Sequence, residues 1–164
     1  MAYQKLQVSQ ALAVIPDNSI PIPDPSSKVL VGNADFSVAG VLTDVGTTFL
    51  TDGILTNAII YNTTAQKVFR VTEVTDDLKL AITPSSAQGS SDNYVIYNEA
   101  TVGCVLFVGV AGDVKAIMAE TNGGASWSSA SSVMFKGIAG GAFLPIQVIG
   151  VASATTATDI VALW

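Results

Sequence analysis

The sequence predicts an all-β chain, with an extended N-terminal arm followed by two small antiparallel β-sandwich or β-barrel modules. Short β-branched and aromatic runs alternate with clusters of Gly, Asn, Asp and Ser, the pattern of strands joined by turns. No window of about 11 residues or more shows the apolar period of a helix. At most a short helical turn is expected near Thr47–Leu55.

Residues 1–28 read as the arm. Pro16, Pro21, Pro23 and Pro25 alternate with Ile15, Ile20 and Ile22. Proline removes backbone donors and biases the residue before it towards extended conformations. A flexible tail would explain the prolines, but solvent is a poor place for three isoleucines, so a groove on a neighbouring subunit is the expected resting place. In residues 29–99, the first β-module, strands are expected at Ala58–Tyr61, Lys67–Val74 and Asn93–Tyr97. In Lys67–Val74 the alternation slips at Val71, which suggests a bulge. The turn Thr75-Asp76-Asp77 leads into Leu78, Leu80 and Ile82, which alternate with Lys79 and Ala81, a hairpin signal. In residues 100–164, the second module, strands are expected at Val105–Val110, Val114–Met118, Val133–Lys136, Leu144–Ala152 and Asp159–Leu163. Pro145 suits an edge strand or a bulge better than a central strand. The last strand suggests that the C-terminal end is tied into a sheet.

Hydrophobic residues make up 49% of the 164 and charged residues 12%, the latter about half the usual share. Beyond Ala100 the only charged side chains are Asp113, Lys115, Glu120, Lys136 and Asp159, so much of that half needs covering by a core, a membrane or another chain. A membrane is not expected. The longest apolar stretches, Val102–Ala111 and Leu144–Ala152, are interrupted by Gly, Pro or Gln and fall short of about 18 residues. Met1–Gln10 carries Lys5 but no apolar core of a secretory signal, and assembly in a cytoplasm is expected. The net charge is −6, and the seven basic residues are scattered singly, so direct binding to nucleic acid is not expected.

The chain has no histidine, which removes the usual general base and the commonest metal ligand. Asp76-Asp77 is the only adjacent carboxylate pair, and in a turn both would face solvent. Asp76, Asp77 and Asp92 do not have the spacing of a calcium loop. Gly109, Gly112 and Gly123-Gly124 lack the lysine and helix of a phosphate loop and read as turn glycines. Cys104, within an apolar run, reads as a small buried hydrophobe. Trp127, in a Gly- and Ser-rich loop, either covers a core edge or interface or offers a ligand platform. No catalytic residue, metal or cofactor is expected, and enzyme is the least favoured class.

Four segments carry a resemblance: Phe107–Val114, Val133-Met134-Phe135, Gly141–Val148 and Thr155–Trp164, ending T-T-A-T-D-I-V-A-L-W. In that order they resemble a C-terminal module of tailed-phage virion proteins, similar to head-spike base proteins of phages and gene transfer agents. Residues 120–132 depart from that pattern, which has a tight glycine turn there. Tyr61–Thr64, the valines Val68, Val71 and Val74, Asp76-Asp77, Leu78-x-Leu80 and Tyr94–Tyr97 are similar to a small β-module of phage structural proteins, inserted here between arm and C-terminal module.

The resemblance implies a virion protein. The first expectation is a capsid-exterior decoration (cement) or head-spike base subunit, whose partners are copies of itself and the major capsid protein or other virion proteins. A tail or neck ring, or a fibre anchor, is the alternative. A carbohydrate-binding module built on Trp127 is the reading from another class. Candidate interface residues are Ile15, Ile20, Ile22, Trp127, Phe143, Ile146 and Trp164.

Overall fold

The computed structural model describes residues 8–119 and 132–164. The chain is all-β, and no α-helix occurs among the described residues. Among the described residues twelve strands follow in order: β1 Ala11–Ala13, β2 Lys28–Ala34, β3 Val41–Thr43, β4 Ile59–Asn62, β5 Lys67–Asp76, β6 Lys79–Thr83, β7 Asp92–Tyr97, β8 Cys104–Val110, β9 Gly112–Met118, β10 Ser132–Ile138, β11 Ala142–Val151 and β12 Thr158–Leu163. They divide into a terminal unit, residues 1–19 with 102–164, and a unit inserted in the chain between its parts, residues 20–101.

The inserted unit is one antiparallel sheet in the order β2-β7-β4-β5-β6-β3. Its outer strands are joined by Asp35 and Thr43, whose backbone hydrogen bonds of 2.8 and 2.9 Å curl the sheet towards a barrel. Phe36, Leu42, Phe49, Ile60, Phe69, Val71, Leu80, Tyr94 and Ile96 fill its core. The slip at Val71 is a real irregularity: the β5–β6 register shifts between Val71 and Glu73 and again before Asp76. Phe69 and Val71 face the core by plain alternation before the shift, and beyond it Val74 packs against the same core. Near Thr47–Leu55 there is only a turn, closed by Asp52 N–H donating to Thr48 C=O at 2.7 Å. Ile59, Tyr61, Val68 and Tyr97 lie outside the core cluster yet are also buried.

The terminal unit is an antiparallel sheet in the order β1-β12-β8-β11-β9-β10. The C-terminal strand lies between β1 and β8, with Ala13 opposite Val161 and Val161 opposite Phe107. The tied-in end follows from this. Strand β11 pairs with β8 at Ala142–Leu144 and again at Val148, where its pairing with β9 begins, and Pro145 falls in the register shift between Leu144 and Val148. A residue without an N–H is harmless at that point, so the bulge reading of Pro145 holds. Asp159 has φ 53°, and opposite it Gly109 leaves room that a Cβ would not, since one built there lies 2.7 Å from Asp159 Cβ.

The arm is corrected for residues 8–28. Ser9 N–H donates to Trp164 C=O at 2.7 Å, Val14 N–H to Ile160 C=O at 2.8 Å and Asp17 N–H to Val151 C=O at 2.9 Å. Further on, Pro23 pairs with Ala100, and Thr101 N–H donates to Ile22 C=O at 2.9 Å. Apart from a 3-10 turn at Pro25–Ser27 the segment is largely extended, but it is paired with its own chain. Composition alone does not distinguish those two resting places. The module boundary at 28/29 accordingly moves to 19/20.

A buried polar pair marks the inserted core. Tyr94 Oη donates to Asp44 Oδ2 at 2.7 Å, and Asp44 Oδ1 accepts Gly46 N–H at 2.8 Å. A Cβ at Gly32 would approach both Asp44 Oδ2 and Tyr94 Oη to 2.7 Å, so the bare backbone there makes room for the pair. Burial first, then the hydrogen bond and charge of Asp44, push the Tyr94 phenol above its ordinary value of 10.0. Because the folded value is the raised one, this contribution to stability is complete below pH 10.0 and declines as pH rises beyond it. Tyr97, raised by burial, acts in the same direction. Tyr94→Phe should lower stability by about 1–3 kcal/mol in denaturant titrations at neutral pH. It should also flatten the loss of stability above pH 10.0; an unchanged alkaline profile would show that Tyr94 is not its source.

Candidate interaction surface

Strand β8, and β12 from Ile160 onwards, are apolar on both faces. Leu106, Val108, Ile160 and Ala162 are buried on one face. The residues between them, Val105, Phe107, Val161 and Leu163, point to the other by strand alternation. Registers extend that second face sideways. One row runs Ala13, Val161, Phe107, Phe143 across β1, β12, β8 and β11, and a second runs Ala11, Leu163 and Val105, the last of them buried. None of these seven side chains is charged.

Phe143 is 58% exposed, and its ring lies 5.2 Å from that of Phe107, tilted by 59°. Phe107, Val161 and Leu163 are half-buried, and Ala11 and Ala13 are exposed. An aromatic pair with one exposed member, on an uncharged four-strand row, is the kind of surface that a protein partner covers.

The candidate residues from the sequence fall unevenly on this geometry. Phe143 is on the face. Trp164 follows directly on β12; it is half-buried and its backbone N–H donates to Gln10 C=O at 3.1 Å. Ile146 is half-buried in the β11 register shift, and Ile15 is half-buried beside Val14, whose N–H is bonded to β12. Ile20 and Ile22 are corrected: at 5% and 2% exposure they are buried in their own chain and offer nothing to a neighbour. Trp127 lies outside the described residues. Phe107, Val161 and Leu163 were missed, although the unbroken run Cys104–Val108 signals a strand apolar on both faces.

The polar groups singled out from the sequence hold backbone. Asp76 Oδ1 accepts Leu78 N–H at 2.8 Å, and Asp77 Oδ1 accepts Leu50 N–H at 3.2 Å. Asp92 Oδ2 accepts Asn62 Nδ2–H at 2.8 Å and Gly89 N–H at 3.1 Å. Among the described residues no group of three or more His, Cys, Asp or Glu could hold a metal ion. No helix among them is long and apolar enough to cross a membrane.

In comparisons with known proteins, no family model matches the chain, nor does any curated protein or solved structure.

Cys104 is buried, its Sγ 3.3 Å from Val148 C=O, and burial pushes the thiol up to about 12. The folded protein should therefore resist Ellman's reagent at pH 8 and react with one thiol equivalent only on unfolding. Rapid labelling of the folded chain would contradict the packing assigned to β8.

Proposed function

We propose that the chain is a structural subunit of a tailed-phage virion, a capsid-exterior decoration protein or head-spike base. It works by associating with copies of itself and attaching to the shell, with the major capsid protein as the expected contact. The virion assignment rests on the resemblance of residues 102–164, whose quoted segments coincide with β8 to β12 of the terminal unit.

The observation that carries self-association is the uncharged row Ala13, Val161, Phe107, Phe143. Charge is distributed to match. The terminal unit has four acidic and three basic residues, net −1, whereas the inserted unit has nine acidic and four basic, net −5. Like-charge repulsion between copies is therefore weakest where the apolar face lies. Many copies on one particle make modest individual contacts sufficient.

Size-exclusion chromatography with light scattering tests the reading directly. A symmetric oligomer is expected, and Phe143→Asp should shift it towards monomer by removing about 1.5–3 kcal/mol of apolar burial per contact. A wild-type chain that stays monomeric and fails to bind empty capsids would overturn it.

A further inference from the structure

The inserted unit carries a second apolar surface of different construction. The loop from Asp44 to Asn57, between β3 and β4, lies with the β5–β6 turn. It sends Phe49 and Ile54 into the core. It leaves Val45 85% and Leu50 60% exposed, and Leu78 of the neighbouring turn is 40% exposed. Leu55, in the same loop, is exposed as well.

Hydrogen bonds fix this tip. Asp44 N–H donates to Leu78 C=O at 3.0 Å and Phe49 N–H to Asp77 C=O at 2.9 Å. The carboxylates of Asp76 and Asp77 hold Leu78 N–H and Leu50 N–H at 2.8 and 3.2 Å. Asp52 Oδ2 accepts Thr48 N–H at 3.2 Å, and Asn98 Oδ1 accepts Leu55 N–H at 3.0 Å. The exposed aliphatic residues thus stand on an ordered frame, which lowers the ordering cost of docking.

The charges of the tip select the partner. Asp76 and Asp77 hold the N–H groups of Leu78 and Leu50 themselves, Asp52 lies in the same loop, and Asp44 is turned inward to Tyr94. Lys79, opposite Asp76 in the β5–β6 register, is the basic residue beside them. A second copy complements this poorly, since its own inserted unit is net −5 and its terminal unit has only Lys5, Lys115 and Lys136 as basic residues.

We propose that this tip docks onto a different protein, with Val45, Leu50 and Leu78 entering an aliphatic socket whose rim carries lysine or arginine. Acidic groups around an apolar centre steer such a surface and reject an acidic one. The proposal is independent of the virion reading, because it rests on the inserted unit alone.

Fluorescence anisotropy with the full chain tests it, using labelled leucine-containing peptides flanked by lysines and the same peptides flanked by glutamates. Lysine-flanked peptides should bind, more weakly as salt rises. The exposed-site variant V45S/L50S/L78S, checked for an unchanged circular dichroism spectrum, should bind about tenfold or more weakly. Absence of binding by the lysine-flanked peptides, or equal binding by the glutamate-flanked ones, would overturn the proposal. So would dissociation of the oligomer by V45S/L50S/L78S, which would make the tip a contact between copies.

Discussion

The pairing of β12 between β1 and β8 is the constraint on which the rest depends. Residues 11–13 and 161–163 meet in register across nearly the whole chain. Closing a loop of that length costs conformational entropy, which rises only slowly with the number of residues enclosed. Here the enclosed residues do not remain a loop. Residues 20–101 form a unit with its own core, and the chain enters and leaves it through paired backbone at Ile22–Asp24 and Glu99–Thr101. The inserted fold thereby holds together the two stretches that the terminal sheet needs.

The same pairing accounts for the candidate surface. A strand inside a sheet has two faces, and β8 and the Ile160–Leu163 part of β12 are apolar on both. One face supplies Leu106, Val108, Ile160 and Ala162 to the interior; the other sets Val161 and Phe107 beside Phe143. Charge is concentrated in the inserted unit, where several carboxylates bond turn N–H groups. The proposed subunit therefore has two distinct means of contact, an uncharged sheet face for its own copies and an acid-rimmed tip for another protein.

Strands β4 to β12 were legible in the sequence to within a few residues, because alternation and turn clusters are local properties. Leu80 and Ile82 on one side of Lys79 and Ala81 describe a half-buried strand without reference to its neighbours. The three-residue strands β1 and β3 were not legible, since Ala-Leu-Ala and Val-Leu-Thr are too short for a period to show. Long-range facts were also hidden. Nothing in Ile15 to Pro25 says whether an extended segment pairs with its own chain or another, and the structure places Ile20 and Ile22 inside. Phe143 was legible as a candidate; its neighbours Phe107 and Val161 needed the β8–β12 and β8–β11 registers to come together.

The central claim is that the uncharged face of the terminal unit exists to be covered by protein in an assembly. A cryo-electron microscopy map of the particle tests it most directly. Phe107, Phe143 and Val161 buried against a copy of the chain is the predicted result. A map in which that face is open to solvent, or particles from which the chain is absent, would contradict it.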